Sequence, residues 1–310
     1  MRVEPKHMPE RGAKPVVYFL LMFTMNLMRK IVTETNKYAT QFIRSHAQAT
    51  AQRRCSRVHA WKEITINELK GFIAVILNMG LINKPRIEQY WRKRDSQSTS
   101  WFRSMFTRNR FQNILKYLHI VNNNKTPPRN NPNYNPAAKF SPMIEHFNMR
   151  SKYLYVPTTE LSVDESLVGT KARSVMTQYI PSKKAKFGIK LWMLVESISG
   201  FVLRIICYRG KQFDPVERGH LQGADVVTRL MTESNLLNRF YHVYCDSFFT
   251  SIRLARELLP FNIYLTGTLR QNSIMPNAIK GVQLQNNGSK FMRNGAVLCM
   301  AFKDNNKKTC

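Results

Sequence analysis

LSVDESLVGTKARSVMTQYIPSKKAKFGIKLWMLVESISG, residues 161–200, sets one acid pair, Asp164 and Glu165, inside an apolar run. Leu161, Val163 and Leu167 alternate with Ser162, Asp164 and Ser166, and a period of two predicts a strand with one face toward a core. Asp164 then points away from that face. An isolated acid in such a place is ordinarily a solvated strand residue. Here six cations follow it, Lys171, Arg173, Lys183, Lys184, Lys186 and Lys190. An acid among so many cations, beside a prospective polyanion site, points to a metal ligand rather than a surface charge.

Downstream the texture stays β-rich. Residues 186–197 and 201–209 read as two strands joined by a turn at Ser199-Gly200. A helix is predicted at 224–237, a strand at 241–246 ending in Asp246, a helix at 251–259 capped by Thr250, and a strand at 263–269. Three strands, then helix, strand, helix and strand, make a mixed α/β layer in which the first and fourth strands can lie side by side. That placement brings Asp164 and Asp246 together. Two carboxylates at adjacent strand ends suit a divalent cation, and oxygen donors favour Mg²⁺ or Mn²⁺ over zinc.

Upstream the signals are helical. Residues 1–15 read as a loose tail, and 16–158 as a helical domain with an Asn- and Pro-rich linker at 122–142. Phe19, Leu20, Phe23, Leu27 and Ile31 keep three-to-four spacing, as do Leu69, Phe72, Ile73, Ile76 and Leu77. Thr65 and Glu68 form a capping-box pair ahead of the second pattern. A further helix is expected to start at Ile87, Tyr90 and Trp91, with one or two more between Phe102 and Leu118 and a last one at 144–153. Aromatics at helical spacing are read as core, and Arg92, Lys93, Arg94, Arg103, Arg108 and Arg110 as phosphate contacts. The run 16–28 is shorter than the ~20 residues that a bilayer requires, and is read as a buried helix rather than an anchor.

Composition narrows the partner. With 48 Lys and Arg against 19 Asp and Glu, the 310-residue chain carries a formal charge of +29, which favours nucleic acid over a membrane surface. Five cysteines, Cys55, Cys207, Cys245, Cys299 and Cys310, are widely separated without a CxxC pair, so neither a disulfide framework nor a zinc site is predicted. Cys55 and His59 have a usable spacing but lack a second pair.

Beside this reading, the chain resembles the transposase-derived proteins of the piggyBac superfamily, from about residue 17 to 308. The resemblance is carried by LSVDESLVGTKAR (161–173), QYIPSKKAKFGIKLW (178–192), YCDSFFTSIRLARELL (244–259) and TGTLRQN (266–272), with weaker support from ETNKYA (34–39), ELKGFIAVILNMGL (68–81) and RFQNILKYLHI (110–120). It implies an RNase H-like core at 159–270 that cuts and joins DNA with three aspartates and two metal ions, recognising terminal repeats and inserting at TTAA. Asp164 and Asp246 match the first two of those aspartates. The third belongs to a Gly-Gly-x-Asp-x-x-Asp segment that the sequence to Cys310 does not contain, so the core is expected to be incomplete at its C-terminal end, with 271–310 starting an insertion domain. Asp304 is read as a turn residue, and Ser247 stands where the family prefers Asn.

The expectation is therefore a DNA-binding protein of transposase descent, nuclear by charge and resemblance, catalytically incomplete as given. The alternatives are a fragment of an active Mg²⁺-dependent transposase and a non-catalytic interaction protein that forms a homodimer. An uncovered sheet face is expected to expose Ile189, Leu191, Ile205 and Val243.

Overall fold

The computed structural model describes residues 4–46, 61–216 and 219–304, which form two compact units, 12–143 and 1–11 with 144–310. Cys55, His59 and Cys310 lie outside the described residues. The border falls at Met143/Ile144 rather than at 158.

The first unit is helical. It contains α1 (Pro15–Met22), α2 (Met25–Ser45), α3 (Ile66–Leu81), α4 (Ser100–Met105) and α5 (Arg108–Tyr117). The apolar run 16–28 is not one buried helix. It breaks at Phe23 because the Thr24 hydroxyl accepts from Leu27 N (3.3 Å) and starts a new helix. The two pieces meet at 67°, and α1 has no fully buried residue. Among the described residues no single helix is long and apolar enough to cross a membrane. The capping box at α3 forms as expected, with Glu68 N on Thr65 Oγ1 (3.2 Å) and Thr65 N on Glu68 Oε2 (3.3 Å). Tyr90, Phe102, Phe106 and Phe111 are buried with Leu69, Phe72 and Ile114, so these rings are core rather than base-stacking groups. Ile87–Trp91 is a single 3₁₀ turn instead of a longer helix.

Helix α6 (Ser141–Leu154) runs into the second unit. There β1 (Glu4–Pro5) pairs antiparallel with β2 (Tyr155–Val156), so part of the expected tail is held in a strand pair. The main sheet comprises β3 (Glu160–Gly169), β4 (Thr177–Tyr179), β5 (Phe187–Glu196), β6 (Val202–Cys207), β7 (Tyr241–Cys245) and β8 (Ile263–Gly267), in the order β4-β5-β3-β7-β8 with β6 also on β5. The pairs of β5 with β3, β4 and β6 are antiparallel, and β3-β7 and β7-β8 are parallel. The parallel crossovers are made by α7 (Gln222–Glu233) and α8 (Ile252–Leu258). Antiparallel strands first and helix-linked parallel strands after are the mixed α/β arrangement expected of an RNase H-like core.

Leu161, Val163, Trp192, Leu194, Val243 and Ile263 pack on Val226, Val227, Leu230 and Met231 of α7 and on Leu254 and Leu258 of α8. Val243 is thus fully buried, against the expectation of exposure, because the period of two places it on the helix-covered face. Ile189, Leu191 and Ile205 are half-buried. The β5-β6 turn closes on Glu196, whose carboxylate accepts from Thr158 Oγ1, Ser199 Oγ and Ser199 N, with Gly200 at φ +71°. Beyond the sheet, β9 (Ser289–Asn294) and β10 (Val297–Phe302) form an antiparallel hairpin with a small cluster at Ile279, Cys299 and Ala301.

Candidate carboxylate site and its basic rim

In the parallel β3-β7 ladder the last registered pair is Val163 with Cys245. The next residue on each strand is an aspartate, Asp164 and Asp246, and both are exposed. Asp164 Oδ1 accepts from Glu165 N (2.6 Å), and Asp246 Oδ1 accepts from Phe248 N (2.9 Å). Each carboxylate therefore holds one oxygen on a backbone amide of its own segment. The carbonyl of Asp246 accepts from Thr250 N (3.1 Å) and Thr250 Oγ1 (2.8 Å). Thr250 fixes that turn instead of capping α8, and the cap is Ser251, whose hydroxyl accepts from Leu254 N (3.0 Å). Burial first, then the charges of Asp246 and Asp164, push the Cys245 thiol up to about 12. One buried sulfur thus feels both carboxylates, and stays neutral itself.

Exposed carboxylates are hard oxygen donors of the kind that suit Mg²⁺ or Mn²⁺. Among the described residues no group of three or more His, Cys, Asp or Glu side chains is arranged to hold a metal ion.

The six cations divide. Lys171, Arg173, Lys184 and Lys186 are exposed on the loops that flank the three-residue strand β4. Lys183 lies 3.7 Å from Glu165. Lys190 is different: its side chain is 12% exposed and its ammonium sits 2.9 Å from Glu165. It also lies 4.0 Å from the centroid of the Trp192 ring and 4.7 Å from that of Phe248. In the helical unit, Arg110 pairs with Glu68 (2.9 Å), donates to the Lys62 carbonyl (2.7 Å) and lies over the Trp61 ring. Arg103 donates to the Arg92 carbonyl (2.6 Å). These two cations hold their own unit together.

Sequence reasoning passed over His242 and Tyr244. The alternation from Tyr241 to Asp246 places His242, Tyr244 and Asp246 on one face, and the register sets Glu160 opposite His242, Ser162 opposite Tyr244 and Thr266 opposite Tyr244. His242 Nε2 is 2.7 Å from Thr266 Oγ1, and its ring stacks on Tyr244 at 4.5 Å. The same period of two that exposed Asp164 could have found this polar ladder. A cleft of about 1270 Å³ opens between β8 and the β9-β10 hairpin, and its lining carries no carboxylate. The acid pair is exposed and lies outside that cleft.

The family described as Transposase IS4 matches residues 14–310. The chain belongs to this transposase family, in its piggyBac type. It is 29% identical over 217 residues to human PiggyBac transposable element-derived protein 3, covering 68% of this chain and 35% of that protein. With human PiggyBac transposable element-derived protein 2 the identity is 26% over 261 residues, 83% of this chain and 40% of the relative. The piggyBac-type chain thus spans less than half the length of these two relatives. Its fold matches the cryo-EM structure of the piggyBac transposase synaptic complex with hairpin DNA at a TM-score of 0.80 and 23% identity, covering all of this chain and 62% of that one.

Proposed function

We propose that this chain binds DNA, using the rim formed by Lys171, Arg173, Lys183, Lys184 and Lys186, and that Asp164 and Asp246 are the metal-holding carboxylates of the protein it represents. The observation that carries the reading is the position of that rim. Four of its five cations are exposed, and the rim follows directly on the strand that presents Asp164. Such cations meet phosphates, which position a protein on DNA without reading its sequence. The solved relative was captured with hairpin DNA, which supports the same partner here.

Asp164 and Asp246 would hold Mg²⁺ or Mn²⁺, which would supply Lewis-acid activation of a water or 3′-hydroxyl and stabilisation of a leaving oxygen. The residues of this chain orient that site: backbone amides of Glu165 and Phe248 fix one oxygen of each carboxylate, and burial keeps the Cys245 thiol neutral and out of the donor set. Cleavage and joining of DNA, terminal-repeat and TTAA recognition, dimerisation and a nuclear location are proposed of the whole protein.

Fluorescence anisotropy with a duplex at several salt concentrations tests this. Expected is duplex binding whose log affinity falls with log salt at a slope of about −0.9 for each phosphate engaged. Salt-independent binding, or none, would sink the reading.

A further inference from the structure

Three separate sequence blocks meet at the Phe248 ring, and a fourth joins them through Lys190. Glu165 comes from 161–173, Lys190 and Trp192 from 178–192, Phe248 from 244–259 and Arg270 from 266–272. The Phe248 ring stacks on Trp192 at 5.4 Å with planes 17° apart. The Lys190 ammonium lies 4.7 Å from its centroid and the Arg270 guanidinium 5.3 Å. Lys190 is held on its other side by Glu165 at 2.9 Å.

We infer that Lys190 is a positioning residue for the Asp164/Asp246 pair, its ammonium clamped between Glu165 and the Trp192–Phe248 stack so that the two acid-bearing segments are tied together. This deepens the proposed function and rests on its reading of the two carboxylates as one site. The physical argument has two ends. At one end, Glu165 is the residue after Asp164, and its own N–H fixes Asp164 Oδ1. At the other, Phe248 N–H fixes Asp246 Oδ1, so any drift of the Phe248 ring moves the turn that presents Asp246.

A cation between a carboxylate and two ring faces is mostly removed from water, where both attractions are stronger than at an exposed site. The side chain carries no free ammonium to offer a phosphate. Lys190 therefore differs in role from Lys184 and Lys186, although all three count equally toward net charge. The chain supplies a phosphate-facing rim and, one strand inward, an internal cation that organises the acids.

The test uses the full chain and compares Lys190→Met, Lys190→Arg, Glu165→Gln and Lys184→Met. Hydrogen exchange is read at 246–250 and at 226–231 in α7. Expected for Lys190→Met is exchange about tenfold faster at 246–250 with 226–231 unchanged, and restoration by Lys190→Arg. Glu165→Gln loosens the same segment, and Lys184→Met, which removes the same charge from the exposed rim, does not. Titration with Mn²⁺ alone then shows affinity about tenfold weaker in Lys190→Met, the size of effect usual for a residue that orients ligands. Duplex affinity and its salt slope stay at the wild-type values.

Unchanged exchange at 246–250, the same change in Lys184→Met, or equal acceleration at 226–231 in both Lys190→Met and Glu165→Gln overturns the inference. A wild-type chain that binds neither duplex nor Mn²⁺ defeats the proposed function, while the exchange pattern still decides whether Lys190 ties the two segments.

Discussion

Val163 lies opposite Cys245 in the parallel β3-β7 ladder, and that single register pair makes neighbours of two aspartates distant in sequence. A one-residue slip would turn Asp164 into the helix-covered face and Val163 out of it. The apolar residues Leu161, Val163 and Val243, all buried under α7 and α8, therefore set the chemistry by setting the register. The expected outcome is that Asp164→Asn and Asp246→Asn each weaken Mn²⁺ binding roughly tenfold or more, since each removes one of two charged donors. Isothermal titration at fixed pH and salt checks this, with circular dichroism to confirm that the sheet is intact. Affinity unchanged from the wild type in both variants would place the metal elsewhere.

The rim predicts a salt signature. Replacing Lys171, Lys184 and Lys186 together by Gln should make the log–log salt slope for duplex binding shallower by about 0.9 for each phosphate no longer engaged. Affinity should fall alike for duplexes of unrelated sequence, because these cations touch no base edge. A triple variant with an unchanged slope, or a weakening confined to one sequence, would show that the rim does not engage the backbone. Arg110→Gln is the useful contrast: that side chain is occupied by Glu68, the Lys62 carbonyl and the Trp61 ring, so it costs stability rather than salt slope.

Much of this was legible before any coordinates. Alternation around Asp164 predicted β3 and its buried face, and the strand and helix order predicted that β3 and β7 lie side by side; the structure adds that they run parallel. The Asn- and Pro-rich break at 122–142 ends one residue before the division at Met143/Ile144, which falls inside helix α6. Three things escaped. Strand β4 has three residues, Thr177–Tyr179, too few for a period to register, and it exists only because β5 offers an edge. The break at Phe23 is written in a Thr24 cap that a continuous apolar run obscures. The inward position of Lys190 is invisible to a count of charges, because the same Lys can be a phosphate contact or a buried clamp depending on whether an acid and two rings surround it.

Acid should act on α3 through one pair. The Arg110 hydrogen bonds hold the Glu68 carboxyl below its ordinary 4.5, against the opposing effect of partial burial. A carboxyl depressed in the folded state contributes stability that is fully present above the unfolded value and is lost as pH falls through the folded one. The stability gap between the wild type and Glu68→Gln should therefore be widest at neutral pH and shrink progressively below about pH 4.5. Urea midpoints measured from about pH 7 to about pH 3 read this directly. A gap that is constant across the range would mean that the charge of Glu68 contributes nothing.

Two glycines make opposite predictions from the same substitution. Gly223, in the first turn of α7, faces the backbone of Phe248 and Phe249, so an added Cβ would run into the Phe248 carbonyl and press on the turn that holds Asp246. Backbone cannot rotate out of the way as a side chain can. Gly223→Ala should cost about 1–3 kcal/mol, the usual range for overpacking a tight contact, and should weaken Mn²⁺ binding as well. Gly80, near the end of α3, has open space where the Cβ would go. There the only change is a smaller entropy loss on folding, so Gly80→Ala should stabilise the helical unit by about 0.5–1 kcal/mol and leave Mn²⁺ affinity alone. Chemical denaturation of the two variants beside the wild type checks both signs at once. If Gly223→Ala is neutral, α7 and the Phe248 turn are not packed backbone to backbone, and the rigidity of the Asp246 end of the site has to come from Thr250 and the Lys190–Phe248 contact.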